Sequence, residues 1–207
     1  MDFASLAEAR HSVRKYTPGV PLDDDTLRRI FAQVRLTPSS FNLQHWRFVV
    51  VRDAARKQAL RALAFGQQQV EDCSAAVLVC GRLDAHADAP ALYRDAPAEM
   101  REKFVPMIAA VYGKNLPLQR EEAIRSGALA AMSLMYAARD LGWDSGPMIG
   151  FDADGVRTAL KLPDTLLPVM LVTLGKTLHG VYPARLYRRP LHEVVHLETA
   201  DGATLGD

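Results

Sequence analysis

AAVLVC, residues 75–80, is an unbroken apolar run six residues long. It is too short for a helix, rich in small and β-branched side chains, and shows no polar alternation. Such a run predicts a strand buried on both faces. Upstream, WRFVVV (46–51) predicts a second strand by its aromatic and β-branched content. Downstream, VMLVTLG (169–175) predicts a third. Helical patterns stand between them, so the fold class is α+β, a sheet layered with helices.

The helices follow from caps and spacing. Ser5-Leu6-Ala7-Glu8 reads as a capping box that starts a short helix at Ser5. Asp23–Asp25 caps a second helix, with Leu27, Ile30, Phe31 and Val34 at helical spacing. Asp53 starts a third, through Leu60 and Leu63 to about Phe65. Residues 97–112 form a further helix with Phe104, Ile108 and Val111 on one side. In GALAAMSLMYAARDLGWDSG, Leu129, Met132, Met135 and Tyr136 recur at helical spacing, and alanines fill the other faces. A helix apolar nearly all round belongs at the centre of the core, and Gly142 is placed to end it. SGPMIGFD reads as a loop, and FDADGVRTALKLP as a last helix opened by Asp and stopped by Pro163.

Composition narrows the function. The chain has 207 residues, 25 Lys and Arg against 24 Asp and Glu, and a net charge of +1. One domain is expected over 1–207, and bulk charge predicts neither a nucleic acid nor a membrane partner. MDFASLAEARH lacks the apolar core of a signal peptide, and no apolar stretch approaches the roughly 18 residues of a membrane span. A cytoplasmic protein is expected. Cys73 and Cys80 read as buried structural thiols. The six histidines are scattered, so no metal site is expected.

Several standard sites are excluded. GxGxxG does not occur. Gly175-Lys176-Thr177 imitates the tail of a P-loop, but Met170 stands where that motif needs its first glycine. HExxH and GxSxG are absent. What remains is a set of polar clusters: RHSVRKY (10–16), PSSFNLQ (38–44), GQQQ (66–69), GPMIG (146–150) and Arg188-Arg189. Arginine forks and a serine hydroxyl suit phosphate oxygens. The amides of Asn42, Gln67 and Gln69 suit a heterocycle with alternating donors and acceptors. A glycine such as Gly150 admits close approach by a flat ring. The residues alone thus indicate an α+β protein that binds a phosphorylated heteroaromatic ring.

RHSVRKY followed by TPSSFNLQHWRFVVV resembles the FMN-dependent nitroreductase family. AFGQQQVEDCSAAVLVC, GWDSGPMIGFD and LGKTLHGVYPARLYRRPLHEVV resemble its later segments, in order, from about Leu6 to Val195. FNLQHW and GQQQV are similar to its small NAD(P)H nitroreductase branch. The resemblance implies a three-layer fold with a central mixed sheet flanked by helices. It also implies a homodimer with FMN at the interface, and ping-pong hydride transfer from NADH or NADPH to nitroaromatics, quinones or similar acceptors. A specialised flavoenzyme of dehalogenase or flavin-fragmenting type, and a flavin store or sensor without turnover, are the alternatives.

By the same resemblance, Arg10, Ser12 and Arg188 hold the FMN phosphate, and His11 adds a contact. Arg14 reaches the pyrimidine edge of the flavin and is the electrostatic catalytic group. Pro38, Ser39, Ser40 and Asn42 line the ring from the partner subunit, Gln67 and Gln69 contact the ribityl chain or pyrimidine edge, and Ile149 and Gly150 run beside N5. Residues 81–124 are expected to be a variable cover that selects substrate, with Phe104 and Tyr112 over the ring, and 176–207 a C-terminal extension. Two positions depart from the family pattern. His45 replaces a proline, for which a packing or surface role is expected. Leu186 replaces a basic residue, with Arg185 or Arg189 as its substitute.

Overall fold

A computed structural model describes residues 2–206. In chain order the elements are α1 (Phe3–Ala9), α2 (Asp24–Val34), β1 (Trp46–Val51), α3 (Ala54–Leu63), α4 (Gln69–Asp72), β2 (Ala75–Arg82), α5 (Ala89–Leu92), α6 (Ala98–Tyr112), α7 (Leu116–Asp140), β3 (Asp144–Met148), α8 (Ala153–Ala159) and β4 (Leu166–Gly175). The four strands form one sheet in the order β1-β2-β4-β3.

The α+β class stands, with two corrections. The sheet is antiparallel throughout rather than mixed; parallel pairing among the described residues is confined to the isolated bridge between Ser12 and Ser145. The sheet also has a fourth strand, because Asp144–Met148 pairs with β4 where a loop is expected. Its sequence, DSGPM, lacks β-branched residues, and its place comes from pairing rather than propensity.

β2 is central and buried on both faces. Ala75, Val77 and Val79 face a core shared with α2 and α7. Ala76, Leu78 and Cys80 face a second core with Leu60 of α3 and Val156 of α8. Three layers result: α2 and α7, the sheet, then α3 and α8. Burial pushes the thiols of Cys73 and Cys80 up to about 12, so both are inert apolar groups at neutral pH.

α7 is the long central helix, and it starts eleven residues before the Ala-rich stretch. Asn115 caps it by accepting from the Leu118 N–H at 3.1 Å, and Pro117 falls in its first turn, where a missing N–H costs nothing. Its buried stripe includes Ala123, Gly127, Ala130, Ala131, Leu134, Met135, Ala137 and Ala138; Leu129 points outward, and Met132 and Tyr136 are half-buried. The small side chains are therefore the sheet-facing side, which lets the helix lie close to the strands. Gly142 ends it in the left-handed region, at φ 74°.

Asp residues cap α1, α2, α3 and α8. α1 begins at Phe3, capped by Asp2, which accepts from both the N–H and the hydroxyl of Ser5; the expected Ser5 start is two residues late. Of residues 81–124, Gly81 and Arg82 end β2 and 116–124 open α7. The stretch between them holds α5 and α6 and forms a third core cluster. In α6, Phe104, Ile108 and Tyr112 face inward and Val111 outward, a turn of the expected face by one position. Among the described residues no helix is long and apolar enough to cross a membrane, and no group of His, Cys, Asp or Glu is placed to hold a metal ion.

The α7–sheet contact carries the core. Leu134→Ala, which empties a fully buried site there, is expected to cost about 2–5 kcal/mol, read as a lower urea midpoint with an unchanged slope.

Candidate functional site

Residues 10–17 run beside the sheet as a bound ribbon. Val13 N–H donates to the Ser145 carbonyl at 2.9 Å, Thr17 N–H to Lys176 at 2.9 Å, and the Leu178 N–H returns to Lys15 at 3.0 Å. Val13 and Tyr16, three residues apart, point into the core, which leaves Ser12, Arg14 and Lys15 on the open side. Tyr16 is 1% exposed and its hydroxyl bonds the Thr173 hydroxyl at 2.9 Å. Two glycines make room for the ribbon. A Cβ on Gly146 would stand 2.4 Å from the Val13 carbonyl oxygen, and one on Gly175 would stand 2.6 Å from the Tyr16 ring.

The chain after Thr177 returns over this ribbon and closes a groove of about 630 Å³. Arg10, His11, Ser12, Arg14, Arg185 and Arg188 line it, together with Lys15 and Tyr182. No Asp or Glu is among the described residues that line it. The structure thus brings together the expected group Arg10, His11, Ser12, Arg14 and Arg188. Arg188 donates to the carbonyls of Leu186 and Tyr187, within its own segment. Of the two substitutes for Leu186, Arg185 lines the groove and donates to Glu8 and Arg10 carbonyls at 2.6 and 3.2 Å, whereas Arg189 pairs with Glu193.

Three further residues hold the groove's walls, and the sequence reading misses them. Asp144 is 5% exposed; its carboxylate accepts from Arg139 at 2.7 Å and from the Thr177 N–H at 3.0 Å. Arg139 also donates to the Tyr182 hydroxyl at 3.0 Å and lies over its ring. Tyr182 in turn packs on His11, ring centroids 5.1 Å apart, and the His11 Nδ1 donates to the Ala9 carbonyl. The chain from α7 through β3 to the returning segment is therefore one ion-paired unit. The sequence signal is an Asp directly before the small-residue run SGPMIG, but nothing in it names Arg139 as the partner.

Gln67, Gln69 and Gly150 form a second group. Gln67 Nε2 donates to the Gly150 carbonyl at 2.8 Å, and Gln69 Nε2 to Gln67 Oε1 at 2.9 Å. They sit beyond the end of β3, with Ile149 exposed beside them. β3 is the sheet edge that the ribbon joins at Ser12 and Ser145, and this group lies past the far end of that strand.

Pro38, Ser39, Ser40 and Asn42 do not join the groove. Their loop turns sharply: Phe41, Asn42 and Gln44 have φ of 50°, 54° and 50°. A non-glycine residue in that region costs roughly 1–2 kcal/mol, so three in four positions need external support. Ser39 Oγ accepts from the Gln44 N–H at 2.9 Å. Phe41, Leu43 and His45 turn inward, while Pro38 and Asn42 are exposed. His45 is packed rather than on the surface: it is 2% exposed and bonded to the Ser126 hydroxyl at 3.3 Å. Burial holds its imidazole below the ordinary 6.5, against the pull of Glu122.

The nitroreductase family model matches residues 7–176. The chain belongs to the nitroreductase family. MhqN of Bacillus subtilis, a candidate NAD(P)H nitroreductase, is 34% identical over 94% of this chain and 98% of its own length. An NADH dehydrogenase of Thermus thermophilus is 35% identical over 94% and 95%. A crystal structure of a candidate nitroreductase from Exiguobacterium sibiricum in complex with FMN superposes with a TM-score of 0.87, at 31% identity, over 94% and 96% of the two chains. The family match ends at Lys176, where the ribbon's second pairing begins; the returning segment lies past it.

Two outcomes follow from these contacts. Asp144→Ala leaves Arg139 without its carboxylate and should cost about 3–5 kcal/mol, with faster proteolysis in 183–195; cleavage at the wild-type rate would show that Asp144 does not anchor the returning segment. His45 binds its proton less readily folded than unfolded, so it contributes stability above pH 6.5 that is lost as pH falls below it. Urea midpoints at a series of pH values should fall more steeply in this range for the wild type than for His45→Gln.

Proposed function

We propose that this nitroreductase-family chain is an FMN-dependent NAD(P)H oxidoreductase that reduces nitroaromatics, quinones or similar acceptors. The observation that carries the reading is the groove: four arginines, a serine hydroxyl and no carboxylate, built around a ribbon fixed to the sheet. This donor set fits a phosphate monoester, which takes forked guanidinium contacts and a hydroxyl bond. The amide group of Gln67, Gln69 and Gly150 lies along the same sheet edge and fits the polar edge of the attached ring.

The roles divide by position. Arg10, Ser12 and Arg188 hold the phosphate, with Arg185 in the place that Leu186 leaves apolar. His11 is fixed by Tyr182 and Ala9 and braces that wall. When bound, FMN supplies hydride exchange between a nicotinamide and the acceptor. Arg14 keeps a fixed positive charge at the pyrimidine edge, where negative charge collects during hydride uptake, and a preoriented charge there stabilises it without reorganisation. Ile149 and Gly150 border the reacting edge of the ring.

The active unit is a homodimer. Pro38, Ser39, Ser40 and Asn42 are not among the residues that line the groove of their own chain, and they line the ring in the partner's site. The returning segment supports this reading, since Leu186 and Tyr187 are 81% and 76% exposed in the single chain. Two apolar side chains so placed gain by covering against a second copy. Residues 81–124 act as the variable cover and 176–207 as the extension that joins the subunits.

The protein purified with FMN should be yellow and dimeric, and NADH or NADPH should bleach the flavin. Arg14→Ala should slow bleaching about ten- to a hundred-fold in stopped flow and weaken FMN binding less. Protein that binds no FMN sinks the reading; flavin that binds but is not bleached leaves the store or sensor alternative.

A further inference from the structure

The cover does not lie open beside the groove. Its inward side chains grip the loop of residues 38–45. Phe41 meets Tyr112 edge-on, with ring centroids 6.3 Å apart and planes at 89°, and Phe104 at 6.3 Å. Leu43 is buried among Ala85, Ala89 and Ile108. Two tyrosine hydroxyls then land on consecutive loop residues. The Tyr112 hydroxyl and Ser40 Oγ are 2.9 Å apart, and the Tyr93 hydroxyl donates to the Phe41 carbonyl at 3.2 Å.

Tyr112 is itself fixed. It is 3% exposed, and its carbonyl accepts from Gln119 Nε2 at 2.7 Å. Its ring stacks on His86 and takes His45 on an edge. The loop's internal bonds, from Asn42 N–H to Ser39 and from Leu43 N–H to Ser40, close the turn without placing it against the rest of the fold. At its far end the loop is held by the Arg82 N–H, which donates to the His45 carbonyl at 2.7 Å, and by Ser126 on the His45 ring; the tyrosines hold it at the residues where the backbone enters its left-handed run. A backbone in a sparsely populated region persists only where its surroundings over-determine it, and such positions cluster at ligand-contacting sites.

We propose that Tyr112 and Tyr93 are positioning residues: their hydroxyls lock residues 38–45 in the shape that lines the flavin ring, so the cover sets the ring's environment from behind the loop. The proposal rests on the functional reading above for the identity of the ligand. It gives the cover a role besides substrate choice. Within the chain, Phe104 and Tyr112 pack against the loop through Phe41.

The test compares Tyr112→Phe, Tyr93→Phe and the double variant with Ile30→Val, a buried control in the α2–α7 core. Each variant is measured for Tm, for the visible circular dichroism of bound FMN, for the rate of flavin bleaching by NAD(P)H, and for hydrogen exchange of the Leu43 and Gln44 amides without FMN. Losing one neutral hydrogen bond should shift loop populations about five-fold. The tyrosine variants should therefore exchange these amides about five-fold faster, change the flavin dichroism and slow bleaching by a similar factor, with the double variant affected more. Ile30→Val should lower Tm comparably and leave the other three readouts unchanged. Tyrosine variants that lose only Tm overturn the proposal, as does wild-type amide exchange with unaltered flavin dichroism. Faster exchange in protein that binds no FMN would keep the clamp and overturn the functional reading instead.

Discussion

The buried ring of Tyr16 fixes the geometry on which the rest of the site depends. It lies against Gly175 and Gly146, with its hydroxyl on Thr173 in β4. Burial raises its ionisation far out of reach, so it stays a neutral donor. With Tyr16 pinned, the ribbon has one register against the sheet. Val13 then falls in the core beside it, with Ser12, Arg14 and Lys15 on the open side. A slip that brought Arg14 to the buried place of Val13 would bury a guanidinium, which is costly without a partner. The two glycines belong to the same device, because any side chain there would push the ribbon off the strands.

From that ribbon the support runs outward in two directions. Through Thr177 and Asp144 it reaches Arg139 on the central helix, which ties the returning segment to the best-packed part of the molecule. Through the sheet and α7 it reaches the cover, since α6 leads directly into α7 at Asn115. The groove and the loop of residues 38–45 therefore share one rigid frame although they do not touch. A frame of this kind suits chemistry carried by a cofactor, where the protein's task is orientation and electrostatics.

How far the sequence discloses this depends on range. The strands at 46–51, 75–80 and 169–175 are legible because their apolar content is high, and the Asp-capped helices because capping is local. β3 is not, since Gly and Pro argue against a strand and only pairing with β4 makes it one. The central place of α7 is legible because it is apolar nearly all round, but which of its sides meets the sheet is not, since only close approach to the strands selects the alanines. Within the site, the motif residues 10, 11, 12, 14 and 188 come together as the pattern implies. Arg139, Asp144 and Tyr182 have no such pattern, because an ion pair between a helix and a strand leaves no periodic trace. Tyr93 and Tyr112 are hidden for a related reason: their partners lie 52 and 72 residues away in the chain.

Net charge is a poor guide to this protein, and the reason is where its acids go. Four are spent as helix caps, at Asp2, Asp23, Asp53 and Asp152. Asp84 and Asp88 neutralise Arg82, Glu122 takes Arg125, and Asp144 takes Arg139. Each of these carboxylates has a local structural partner, so none is left to line the groove among the described residues. Two cations about 8 Å apart in water repel by about 0.5 kcal/mol, so gathering several of them on one wall is unfavourable in the free chain and is relieved by a bound anion. The near-neutral total of +1 thus conceals a local excess of positive charge in the groove. It is the separation of the two signs, and not their balance, that leaves the groove at RHSVRKY lined by cations without a carboxylate among the described residues.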